Sequence, residues 1–316
     1  MPRFRLDSRS IWGLLFLVCL GFTALNFVGL RQSALLNNVL VVVKLAVLGF
    51  FVVFGLMHVN NVNFVPFQPF SSGVLFGAYF IFFAYGGFAR ATVIAEEVKD
   101  AKRNVARAVI LSLVVSAAVY VLVGIVAVGL VGSSSLAASN SPLTFAMGAT
   151  GSSLAMQVVS AGGLVATASV LLTAVLGVSR MAFSMARRND LPKVLRLISV
   201  RFGTPYVSIW IVGVVMALLV LFLDLTGVVV VSTFALLFWY VLVNLAAFRL
   251  KCEKRLCPRW LPIIGLSTCL LLLAVVFFVT PFAWIAGVPC LLVGAVFYIF
   301  RRNLRKRTET KTTAIV

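Results

Sequence analysis

Residues 83–88 of this 316-residue chain, Phe83-Ala84-Tyr85-Gly86-Gly87-Phe88, set three aromatic rings around a glycine pair inside a long apolar run. Glycine tolerates dihedrals that other residues avoid, so a helix can open at Gly86-Gly87. At membrane depth, opened backbone is tolerated only where protein or a polar ligand meets its N–H and C=O groups. A half-helix ending at Ile81 to Ala84 presents a partially negative carbonyl end that suits an ammonium group. Phe83, Tyr85 and Phe88 would gate or floor such a site. The competing reading is a glycine pair used only for close helix packing.

Lys44 is the second chemical candidate. It stands near the middle of the apolar run 34–57, ~15 Å from either surface at ~1.5 Å per residue, too deep to snorkel comfortably. Insertion scales put an intramembrane lysine at about 2.5–3.5 kcal/mol unfavourable, so a partner or a proton-exchange role must compensate. Along 153–179, Gly162, Ala166, Ser169, Thr173 and Gly177 share one helical face. Ser169 and Thr173 could meet Lys44 or an ion, although packing alone accounts for most of this stripe. Asn26 and Asn244 read as interhelical hydrogen-bond formers, and His58 as an exposed helix-end residue.

The charged residues beyond the glycine pair read as a gating network. Arg90 either faces the site or pairs with Glu96 or Glu97. Glu96 and Glu97 are sequence neighbours and diverge by ~100° on a helix, which speaks against a catalytic pair. Contacts with Lys99 and with the run from Arg180 to Arg188 suit them better. Enzyme chemistry finds little support, because the single histidine and all eight acids lie near or beyond the membrane surfaces. No phosphate-binding glycine loop is present. Cys19, Cys252, Cys257, Cys269 and Cys290 read as inert thiols, since no histidine or second cysteine pair completes a metal site. Neither a cofactor nor a metal is expected.

The elements that must position these residues are membrane helices. The chain is 62% hydrophobic and 11% charged, with mean hydropathy +1.12, whereas soluble domains are about a quarter charged. Nine spans are expected, at 11–30, 34–57, 73–95, 106–131, 153–179, 205–223, 227–249, 260–279 and 281–300. Each is close to the ~20 apolar residues that cross a hydrocarbon core. The expectation is a single polytopic domain, with a short N-terminal segment (1–10) and a tail (301–316) that touches anionic lipid. A short surface helix is expected around Pro142 to Met147, and a tight turn at Thr280-Pro281.

Net charge +19 would suggest nucleic acid in a soluble protein. Here all Lys and Arg except Arg3, Arg5, Arg9 and Lys44 fall in connections that share one side if nine spans alternate. The opposite connections, 58–72, 132–152, 224–226 and 280, contain none. This is the positive-inside pattern. It predicts a multi-pass protein of the cell membrane with a cytoplasmic C-terminus, and it excludes a nucleic-acid surface. The N-terminal arginines disagree, because nine spans place them outside.

The stretch FFAYGGFARATVIAEEVKDAKRNVARAVI resembles the amino acid–polyamine–organocation superfamily of permeases. That family breaks its sixth helix at an F-x-x-Y/F-x-G-F-like stretch and follows it with E-E-x-K-x-P-x-R-x-x-P. Phe83, Tyr85, Gly87, Phe88, Glu96, Glu97, Lys99 and Arg103 match; Ala101 and Val105 replace the prolines. VVVKLAVLGF is similar to the family's fifth helix with its lysine, here Lys44. GVSRMAFSMARRNDLPKVL is similar to the signature after the eighth helix, with Ser179, Arg180, Met185, Ala186, Arg187, Asp190, Leu191 and Pro192 in place. The resemblance implies an all-α membrane protein with a LeuT-like inverted-repeat bundle, matching helices four to twelve of twelve. The first three would precede Met1, which makes a truncated chain the expectation and accounts for the misplaced arginines. It further implies alternating-access transport of an amino acid or related amine, with protons or sodium as coupling ion. Lys44 would occupy the place where sodium-driven relatives hold their ion. The alternative is a non-transporting remnant or membrane-bound partner subunit.

Overall fold

Apolar runs become helices because every backbone group in a bilayer must be satisfied within its own segment. The structure, a computed structural model, describes residues 8–28, 30–65, 71–88, 98–222, 225–250, 258–279 and 281–313. Every regular element among the described residues is helical. In chain order these are α1 (Ser8–Val28), α2 (Leu30–Leu56), α3 (Ser72–Tyr85), α4 (Ala101–Val131), α5 (Ser133–Ala137), α6 (Pro142–Gly148), α7 (Ser153–Arg187), α8 (Tyr206–Phe222), α9 (Leu225–Arg249), α10 (Trp260–Val279) and α11 (Pro281–Thr313). Short 3-10 turns occupy Asn61–Phe64, Gly86–Phe88 and Lys193–Arg196.

Among the described residues, eight of the expected spans each overlap one helix, and 73–95 is described only to Phe88, with residues 89–95 outside the described residues. Six of these helices are long and apolar enough to cross a membrane, and shorter apolar helices run over Leu15–Val28, Gly73–Phe88 and Tyr206–Leu219. The boundaries follow local chemistry. Ser152 caps α7 by accepting the Ala155 N–H at 3.2 Å, the usual role of a hydroxyl at that position. The same helix stops at Asn189, which takes φ +62° while the Asp190 N–H reaches back to the Met185 carbonyl at 2.9 Å. That is a left-handed helix cap. It gives the Arg187-Arg188-Asn189-Asp190 part of the motif a structural job. Gly132, at φ +78°, separates α4 from α5, a conformation that favours glycine. Proline opens both α6 and α11, where its missing N–H costs nothing.

The chain divides into two compact units. The first comprises Met1–Phe67 and Phe88–Phe222; the second comprises Gln68–Gly87 and Leu223–Val316. In the first unit α2 and α7 run antiparallel. Ser169 meets Asn37 near one end of the pair, and Gly162 lies against Val47 further along it. A Cβ at Gly162 would collide with the Val47 side chain, so glycine sets the helix separation here. The lysine- and arginine-free end of this unit is apolar inside, with Phe51, Val126, Ala127, Ala146, Met147 and Ala155 packed together. The short helix expected around Pro142 is present as α6, with Pro142 and Phe145 exposed on one face and a second face buried. Ala146 and Met147 are 0% exposed.

The second unit is built on α9 and α10, with α3 and α11 against them. Its core joins Tyr79 of α3, Val230, Phe234 and Leu237 of α9, Leu272 and Val276 of α10, and Ala283 of α11. Gly287 of α11 sits directly against the Phe234 ring, another close approach that a side chain would prevent.

Candidate functional site

The glycine pair does change the helix. Regular α-helix ends at Tyr85, and the chain tightens into a 3-10 turn over Gly86–Phe88. The Gly86 N–H caps the turn on the Phe83 carbonyl. A 3-10 turn is frequent at a helix C-terminus, and residues 89–97 lie outside the described residues. Gly86 and Gly87 differ in their surroundings. A Cβ on Gly86 would lie 2.9 Å from Leu236 Cδ1 of α9, whereas a Cβ on Gly87 would meet nothing within 4 Å. Only the flexible end of the Leu236 side chain stands close to the first glycine, and neither glycine takes a positive φ. Phe83 and Ala84 are exposed, and Tyr85 and Phe88 are half-buried.

The segment is positioned from its N-terminal side. Tyr79 is 1% exposed and its hydroxyl donates to the Val230 carbonyl at 2.7 Å, tying α3 to α9. Phe82 packs edge-on against Tyr240, with ring centroids 5.6 Å apart. The sequence reading missed Tyr79. The signal was there, since a tyrosine hydroxyl buried in hydrocarbon must find an acceptor.

In the first unit Lys44 is half-buried on α2 and makes no hydrogen bond or ion pair with another described residue. It stands seven residues beyond Asn37 and so shares its helical face. Ser169, which is 2% exposed, donates to Asn37 Oδ1 at 2.8 Å. Thr173 donates within its own helix, to the Ser169 and Val170 carbonyls. The α2–α7 seam thus joins Asn37 to Ser169, with Lys44 about two turns along α2 from Asn37, and Asn37 is the member that sequence reasoning did not single out.

At the basic end of the same unit the helices are joined by polar contacts. Asn26, 1% exposed, donates from Nδ2 to the Phe22 carbonyl at 3.0 Å and to the Leu172 carbonyl of α7 at 3.2 Å. This is the interhelical bond expected of it. Thr204 donates to the Phe27 carbonyl, and Ser208 to the Leu195 carbonyl. Arg180 is half-buried and lines a small cavity with Asn26, Ser179 and Thr204. Asn244 instead donates to Tyr240 in its own helix, with Gly265 of α10 against its amide. Lys99 is exposed, and its carbonyl accepts from Asn104 Nδ2 at 2.7 Å. Arg90, Glu96 and Glu97 lie outside the described residues, as do Cys252 and Cys257. His58 is exposed, as expected, its Nδ1 3.1 Å from the Phe54 carbonyl. Among the described residues no cluster of three or more His, Cys, Asp or Glu side chains could hold a metal.

A family profile described as amino acid permease matches residues 5–315. The chain belongs to this amino acid permease family. It is a family of transport proteins rather than of enzymes. An uncharacterized transporter of Mycobacterium tuberculosis is 34% identical over 296 residues, covering 92% of this chain and 66% of the relative. The branched-chain amino acid permease of Bacillus subtilis is 27% identical over 289 residues, 90% of this chain and 62% of its own length. The methylthioribose transporter of the same bacterium is 31% identical over 209 residues, 66% of this chain and 45% of its own. The chain thus spans a little less than two thirds of the length of the first two of these relatives. The helical membrane architecture and the family resemblance read from the residues both agree with this assignment.

Proposed function

We propose that this permease chain serves secondary active transport of amino acids or related amines across the cell membrane, with its C-terminus in the cytoplasm. The observation that carries the reading is the family match over residues 5–315, joined to a helix that switches geometry at Gly86-Gly87. Residues 83–88 are the substrate-binding segment. Each backbone carbonyl has two lone pairs, so the Phe83 carbonyl can hold the Gly86 N–H and still accept from a substrate ammonium group. Phe83, Tyr85 and Phe88 supply apolar and aromatic surface. Substrate identity does not transfer from the relatives, whose names cover both a branched-chain amino acid permease and a methylthioribose transporter.

Transport proceeds by alternating access around a fixed midplane site. Protons drive it through Lys44, with Asn37, Ser169 and Thr173 on the same seam, and sodium is the alternative ion. Arg90, Glu96, Glu97, Lys99 and Arg180 form the inner gating network. Uptake of a panel of labelled amino acids and amines into proteoliposomes, with and without a pH gradient, tests the reading. Gradient-dependent accumulation of one substrate is expected. Absence of uptake by this chain, with uptake by a version extended to the length of its relatives, would favour the second reading. That reading is a membrane-bound partner subunit that does not itself transport.

A further inference from the structure

The amide of Asn26 is oriented by its own bonds. Both hydrogens of Nδ2 are directed at carbonyls, one in α1 and one in α7. Turning the amide over would set Oδ1 against two acceptors, so the oxygen is held in the remaining direction. That oxygen is buried and meets no hydrogen-bond donor. Buried acceptors in native proteins are almost always satisfied. Asn26 itself is 1% exposed, which leaves bulk water no direct access to it.

The cavity that Asn26 lines has room for about one water molecule. Its remaining walls are Leu176, Ser179, Arg180, Thr204, Pro205 and Ile209. The hydroxyl hydrogens of Ser179 and Thr204 are committed to the Leu176 and Phe27 carbonyls, so each hydroxyl oxygen can only accept. The guanidinium of Arg180 can only donate. A ligand here must donate to Asn26 Oδ1, beside hydroxyl oxygens that accept and a guanidinium that donates. An anion lacks the hydrogens, and a metal cation would face the arginine charge. Water meets all these demands, with two hydrogens and two lone pairs.

We propose that this cavity is an ordered-water site, and that its water joins α1, the end of α7 and the start of α8 through Asn26. A bridging water is nearly as favourable as a direct hydrogen bond, and a seam closed this way can be opened by admitting more water.

The test is a structure of the intact chain in lipid nanodiscs, at a resolution that shows ordered water, with Asn26→Leu determined alongside. The native map is expected to show a peak ~2.7–3.2 Å from Asn26 Oδ1, and the Asn26→Leu map to lose it. An empty native cavity, or a protein donor bonded directly to Oδ1, overturns the proposal. So does a peak that persists in the variant. The native map alone decides the first question, so the test stands even where Asn26→Leu fails to fold. No readout depends on transport.

Discussion

At one end of the first unit, Met147 and Ala146 of α6 lie fully buried against Phe51 and Val126. At the other, Asn26, Ser179, Thr204 and Arg180 surround a cavity the size of a single water. The first closure is apolar, built by dispersion contacts that accumulate over many atoms and favour no single direction. The second is made of hydrogen bonds with fixed donors and acceptors, among them Thr204 to Phe27 and Asn26 to Leu172. Charge follows the same division, since the apolar end has no Lys or Arg and the polar end carries Arg180, Arg187 and Arg188. An apolar closure resists water, whereas a polar one can exchange its partners for water at little cost. The difference lies in how each end is held, by apolar packing at one and by directed hydrogen bonds at the other.

Four experiments break or sharpen this comparison, from the largest effect to the smallest. Lys44→Met, made in a version extended to the length of the relatives, is expected to abolish proton-dependent uptake while leaving both ends folded. Unchanged uptake in proteoliposomes would remove the coupling role and leave only the two closures. Met147→Ala should empty a buried site at the apolar end and cost about 2–5 kcal/mol, read as a fall in the thermal unfolding midpoint in detergent. Asn26→Ala removes two N–H donors at the polar end and should cost less, about 1–3 kcal/mol. A larger loss for Asn26→Ala than for Met147→Ala would reverse the comparison. Ser169→Ala leaves Asn37 Oδ1 on the α2–α7 seam without its donor, with an expected cost of about 1 kcal/mol and no change at either end. Thiol labelling of cysteines placed at each end in that variant checks the last point.

Much of the architecture could be read before any coordinates. Among the described residues the apolar runs became helices because hydrocarbon leaves backbone no other way to pair. Pro142 and Pro281 marked helix starts for the same local reason they do elsewhere. The glycine pair announced the switch at Tyr85, and Asn26 announced an interhelical bond. Other features were not legible. The reading offered Ser169 to Lys44, but the seam gives it to Asn37, since which residues meet across two helices depends on their register. Met147 gave no sign of being core rather than surface. Its burial comes from α2, α4 and α7 converging on α6, and no local pattern in 142–148 encodes that.

Sequence alone determined the helical membrane class, the separation of basic connections from those without Lys or Arg, and the permease family. These depend on interactions along the chain or with a bilayer, which composition and spacing carry directly. Tertiary structure decided which polar groups are satisfied by neighbours, which glycine of the pair lies against a neighbour, and that one end packs on apolar contacts while the other surrounds a cavity. Those outcomes arise where residues more than a hundred positions apart meet, as Asn26 meets Leu172 and Asn37 meets Ser169, and only the packed helices set the distances.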